Sequence, residues 1–123
     1  MNEVVSAENV KKRTAPFLEK GFSFSYFYEK GGDSSCVYIY RFQKGRDFFD
    51  LREVSGGNEL NFVVYAKGGY QFPLLKRLYP KEFSAFSRKH FFRKATREER
   101  RALFAQLLTK YLEEHSDFFG IAL

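Results

Sequence analysis

Cys36-Val37-Tyr38-Ile39-Tyr40-Arg41-Phe42 is the centre of a longer run, Phe22 to Ala66, whose reading decides the fold. The seven residues are almost all β-branched or aromatic, the types that fit a pleated, half-buried surface. Similar runs lie on both sides, separated by Gln43-Lys44-Gly45-Arg46 and Ser55-Gly56-Gly57-Asn58, with a loop from Glu29 to Ser35 before them. Turn chemistry at this spacing predicts four antiparallel strands in a meander.

With four-residue turns, Tyr40 falls opposite Phe49 and Tyr38 opposite Leu51. Leu51 then faces Phe62 and Phe49 faces Val64, while Phe24 meets Tyr40 and Tyr26 meets Tyr38. Side chains alternate with period 2, so these pairs share one face. That face reads Phe22, Phe24, Tyr26, Tyr28, Cys36, Tyr38, Tyr40, Phe42, Phe49, Leu51, Leu60, Phe62 and Val64, broken only by Asp47 and Glu53 at strand ends. The other face mixes Phe27, Ile39, Phe48 and Val63 with Arg41, Asp50, Arg52, Asn61 and Tyr65, with Arg52 opposite Asn61 and Asp50 opposite both Val63 and Ile39. One apolar and one mixed face is the signature of an antiparallel sheet covered by helices on one side.

The flanks supply those helices. Residues 1–20 are helix-like, with Ser6 as a cap and Pro16 predicting a break near Thr14-Ala15. Lys67-Gly68-Gly69 reads as a break, and residues 72–79 as a short helix with Pro73 in its first turn, stopped by Pro80. A further short turn is expected over 81–88. Thr96-Arg97-Glu98-Glu99 has the spacing of a capping box. It opens a helix predicted to run to about Glu114, with Leu103, Phe104, Leu107, Leu108, Tyr111 and Leu112 as its apolar stripe. Leu103, Leu107 and Tyr111 are expected to cover the sheet, and the apolar tail from Phe118 to Leu123 to pack. The expectation is a single α+β domain over residues 1–123: a four-stranded antiparallel meander with an N-terminal helix and C-terminal helices on one face.

Composition narrows the function classes. One cysteine, Cys36, leaves no intrachain disulfide, and the N-terminus lacks the pattern of a signal peptide; both suggest a reducing, cytoplasmic setting. No apolar run approaches the ~20 residues a bilayer span needs, and no membrane partner is expected. Two histidines and one cysteine are too few for a conventional zinc site, so neither metal nor cofactor is expected. Cys36 with His115 could in principle serve as nucleophile and base, and a core-facing thiol argues against it.

Two surfaces remain as candidates. Residues 70–110 hold 11 Lys and Arg against 3 acids, concentrated in Arg88, Lys89, Arg93, Lys94, Arg97, Arg100 and Arg101. Such a cluster can contact phosphates, with Phe91 and Phe92 stacking on bases. Alternatively it is a solvated connection in which both phenylalanines are buried anchors. On the solvated reading, replacing Arg93, Lys94, Arg97 and Arg101 by glutamine spares the fold. The second candidate is the open sheet face around Arg41, Asp50, Arg52, Asn61 and Tyr65. The leading expectation is a non-catalytic protein-interaction module, its partner another protein or a second copy of itself. The alternative is a nucleic-acid or anion-binding module using residues 88–101.

Overall fold

The sheet forms because the alternating run from Ser23 onward can bury one face only by pairing. In the computed structural model, which describes residues 3–30, 36–54 and 59–123, it is a meander in the order β1-β2-β3-β4-β5. Its strands are β1 (Ser23–Lys30), β2 (Cys36–Lys44), β3 (Asp47–Val54), β4 (Glu59–Ala66) and β5 (Gly69–Gln71). The predicted pairs Leu51–Phe62, Phe49–Val64 and Arg52–Asn61 are present. The expected loop at Glu29–Ser35 falls largely, and the turn at Ser55–Asn58 entirely, outside the described residues.

Two pairings are shifted by two residues. Tyr40 faces Leu51 and Phe42 faces Phe49, while Phe24 faces Phe42 and Tyr26 faces Tyr40. For β2 and β3 the cause is the turn: Gly45, at φ 65°, opens a two-residue turn with Arg46, so Lys44 and Asp47 join the ladder. A two-residue shift preserves the face of every side chain, which is why the predicted core survives it. The supposed break at Lys67-Gly68-Gly69 is also a hairpin. Lys67 and Gly68 both take positive φ, 53° and 79°, and return the chain as the fifth strand.

Helices α1 (Glu3–Arg13), α2 (Ala15–Glu19) and α5 (Arg97–Glu114) cover the apolar face. The break before Pro16 falls at Thr14, whose buried hydroxyl donates to the Val10 carbonyl at 2.7 Å. Ser6 does not cap; it lies inside α1 and is fully buried. α3 is a single turn, Leu75–Leu78, that starts after Pro73 rather than at it. The expected short turn over 81–88 is a ten-residue helix, α4 (Pro80–Lys89), with Pro80 in its first turn. Proline lacks the N–H that a first turn leaves unbonded anyway, so Pro80 ends one helix and begins the next.

The tail closes the core as a small hairpin, β6 (Asp117–Phe118) and β7 (Ile121–Ala122). Phe118 and Ile121 are fully buried. Phe118 meets the rings of Phe17, Phe49 and Phe62 at 4.7–6.1 Å, and Phe42 stacks on Phe49 at 4.7 Å. Within α5, Leu107, Leu108 and Leu112 are buried, with Leu103, Phe104 and Tyr111 flanking them. The cover stops short of β1, where Tyr26 and Tyr28 remain exposed. Among the described residues no helix is long and apolar enough to cross a membrane.

This packing ranks two substitutions. Phe62→Ala empties a core site between Phe49 and Phe118 and is expected to cost about 3–5 kcal/mol. Thr96→Ala removes only the helix cap, about 1 kcal/mol. Urea midpoints in the opposite order would place Phe62 outside the core.

Candidate functional site

The basic segment does not form one surface. Arg101 sits on the buried stripe of α5, four residues before Ala105, and is 2 % exposed. Across from it Glu53, on the apolar face of β3, is equally buried at 2 %. Arg101 Nε donates to Glu53 Oε2 at 2.6 Å and Nη2 to Oε1 at 2.7 Å, a two-pronged pair. The Tyr40 hydroxyl donates to Oε1 at 2.5 Å, and Arg97 Nη2 to the same oxygen at 3.0 Å. Arg101 Nη1 also reaches Asn9 Oδ1 on α1 at 3.4 Å. The expectation that Arg97 and Arg101 are solvated is therefore corrected; Glu53 does lie at the end of β3, but buried. A charged pair can be buried because each partner's donors and acceptors are satisfied by the other.

Burial is the strongest single influence on Glu53 and pushes its pKa up. Donations from Arg101, Tyr40 and Arg97 together outweigh it, so the carboxyl stays below its usual range. Burial and then the Glu53 hydrogen bond push the Tyr40 hydroxyl well above the ordinary tyrosine value.

A second acid organises the loop between α4 and α5. Glu99 accepts from His90 Nε2 at 2.6 Å, from the Thr96 backbone at 3.1 Å, and from Arg93 at 3.2 Å through both oxygens. Those bonds, His90 foremost, hold the Glu99 carboxyl far below the usual carboxylate range. The Thr96 hydroxyl accepts from the Glu99 backbone, completing the capping box. Arg100 Nη1 donates to the Ala95 carbonyl at 2.7 Å. Arg88, Lys89, Arg93 and Lys94 stay exposed. Phe91 and Phe92 are not anchors: they are 77 % and 97 % exposed, their rings edge-to-face at 4.8 Å.

The open sheet face separates into two parts. Arg41 binds fully buried Asp50 through Nε and Nη2 at 2.9 and 3.0 Å, with its guanidinium 4.0 Å above the Phe48 ring. Arg41 faces Asp50 directly, where the sequence had placed Ile39. Tyr65 stacks on Phe48 and meets Tyr70. Arg41, Asp50 and Tyr65 are thus engaged with the sheet itself.

Arg52 and Asn61 instead line a groove of about 380 Å³ whose other walls are Phe62, Phe72, Pro73, Leu74, Phe83 and Phe104. Its origin is local. β5 pairs only with Val64, Tyr65 and Ala66, and Pro73 lies two residues past its end. Proline cannot donate to a ladder, so the strand does not extend along Glu59–Val63. Phe72 and Leu74 are left exposed beside that uncovered edge. Arg52 Nε is buried with no acceptor among the described residues, and its contact to Asp50 is long at 3.7 Å. The sequence reading placed Arg52 and Asn61 side by side but missed the groove, because it took β5 for a loop.

The Cys36 side chain lies outside the described residues, and His115 is exposed, stacked on Tyr111 at 3.7 Å. No cluster of His, Cys, Asp and Glu able to hold a metal occurs among the described residues. No protein-family model, curated protein or solved structure matches the chain.

Glu53 titrates lower in the folded chain than its unfolded value of about 4.3. Its stabilising contribution is therefore present above that pH and is lost as pH falls through the depressed folded value. Arg101→Gln is expected to cost about 3 kcal/mol at pH 7 and less in acid, while Arg88→Gln stays within about 0.5 kcal/mol. Urea denaturation of both variants at neutral and acidic pH measures this; equal midpoints would return Arg101 to the solvated surface.

Proposed function

We propose that the chain is a non-catalytic protein-interaction module that takes an extended, acidic segment of a partner along the uncovered edge of β4. One observation carries the reading: a strand edge at Glu59–Val63, unpaired among the described residues, lies beside an apolar groove lined by Arg52, whose contact to Asp50 is long at 3.7 Å. A strand edge offers backbone donors and acceptors to any extended chain, and neighbouring pockets select its alternate side chains. Here Phe72, Leu74 and Phe104 favour apolar residues, and Arg52 with Lys76 favours a carboxylate. No acidic side chain lines the groove among the described residues.

The single cysteine fits a reducing, cytoplasmic setting for such a module. Nucleic-acid contact across the whole of residues 88–101 is the weaker reading. Arg97, Arg100 and Arg101 direct donors to Glu53 and to the Ala95 carbonyl rather than outward.

A displayed library of short peptides tests the proposal. The expected winners alternate apolar residues and carry an acid. Their retention falls at least about tenfold for Arg52→Glu, the cost of opposing rather than matching a charge. Leu74→Glu, an exposed position, weakens binding in the same direction. Enrichment indifferent to both substitutions would remove the groove from the account. A dimer in sedimentation equilibrium, dissociated by Leu74→Glu, would assign the edge to a second copy of the chain instead.

A further inference from the structure

Apart from the groove, the loop joining α4 to α5 presents a surface with its own chemistry. Residues 88–94, Arg-Lys-His-Phe-Phe-Arg-Lys, hold four cations and no acid. Two adjacent phenylalanines exposed to this degree are the anomaly, since large apolar groups left in water mark contact sites. They are not a floppy excursion. His90 ties the end of α4 to Glu99 on α5, and its Nδ1 lies 2.8 Å from the Phe86 carbonyl. Arg93 and Thr96 reach the same carboxylate from the far side of the loop. The Glu99 carboxylate thus draws both arms of the loop together, and Phe91-Phe92 is the tip between them.

We infer that this tip docks on an anionic bilayer surface, with Phe91 and Phe92 entering the headgroup–acyl boundary and Arg88 and Lys89 facing the lipid phosphates and carboxylates, while Arg93, bonded to Glu99 but exposed, and Lys94 add positive charge beside them. Amphipathic elements that combine an apolar face with cations bind anionic membranes in this way, lying on the surface rather than spanning it. α4 suits the role, because none of its ten residues is fully buried and its last turn is basic. The expectation of no membrane partner, drawn from the lack of a spanning segment, does not bear on a surface contact.

Ring geometry favours lipid over nucleic acid. Bases stack on aromatic faces set along a basic groove. Phe91 and Phe92 instead meet edge-to-face at 88°, and Phe92 is almost wholly exposed. A fluid apolar layer accepts such a convex pair without a shaped pocket. Each phenylalanine buried there contributes about tenfold or more in affinity, and each cation near the surface about fivefold.

Vesicle flotation tests the inference with the full chain. Vesicles of phosphatidylcholine with one-quarter phosphatidylserine are expected to carry the protein, less so as salt rises, and pure phosphatidylcholine vesicles to leave it behind. Phe91→Ser with Phe92→Ser should weaken retention at least about tenfold with an unchanged circular dichroism spectrum. Independently, Phe92→Trp supplies a fluorophore in a chain that has no tryptophan. Its emission should shift to the blue only with the phosphatidylserine vesicles. No flotation, flotation unchanged by the double substitution, or an indole emission from the Phe92→Trp variant that vesicles leave unmoved each overturns the proposal. Retention on single-stranded DNA that the same two serine substitutions abolish, without vesicle binding, would overturn it in favour of nucleic acid.

Discussion

A single buried carboxylate joins the layers of this fold. Glu53 projects from the middle strand of the sheet into a core of phenylalanine and leucine, where an unpartnered charge would cost several kcal/mol. Its two oxygens are held by Arg101 and Arg97 of α5 and by Tyr40 of β2, and Arg101 extends the contact to Asn9 of α1. The sheet and α5 therefore meet around one pair of oxygens, and α1 joins them through Arg101. Apolar contacts tolerate sliding; a two-pronged guanidinium does not, so the pair specifies how α5 lies on the sheet as well as contributing to its stability.

That fixed placement of α5 has consequences at both candidate surfaces. Its first turn carries Glu99, which gathers His90, Arg93 and Thr96 and so sets the position of the exposed Phe91-Phe92 tip. Further along, Phe104 forms one wall of the groove beside β4. The groove's other cause lies in the sheet, where β5 ends at Gln71 before it can cover Glu59–Val63. Natural sheets usually blunt such an edge with charge or a bulge. Here the neighbours are Phe72, Pro73 and Leu74, a proline between two exposed apolar side chains.

The sequence revealed what depends on periodicity and concealed what depends on pairing at a distance. The core face was legible because alternation survives a two-residue error in register, as at Tyr40 and Phe42. The capping box at Thr96 and Glu99 was legible because all its parts are local. β5 was not, since Lys67-Gly68-Gly69 suits a loop as well as the positive-φ turn it forms. Arg101 was misread by residue type, yet a signal existed: positions 101, 105, 108 and 112 repeat at helical spacing, and all four are buried. Glu53 was the complementary signal, an acid on an otherwise apolar face with its partner more than forty residues away. Phe91 and Phe92 carried no sequence mark to separate a buried anchor from an exposed tip; only the course of the loop around Glu99 does that.

A double-mutant cycle on Glu53→Gln and Arg101→Met tests most directly whether the carboxylate and its guanidinium act as one unit. Each single substitution leaves the other partner without its main bond, so the two costs should not add. The double variant is expected to be more stable than their sum implies, by a coupling of about 2–3 kcal/mol in urea denaturation. Additivity within about 0.5 kcal/mol would mean that the two groups do not sense each other, and would contradict this account of how α5 is held on the sheet.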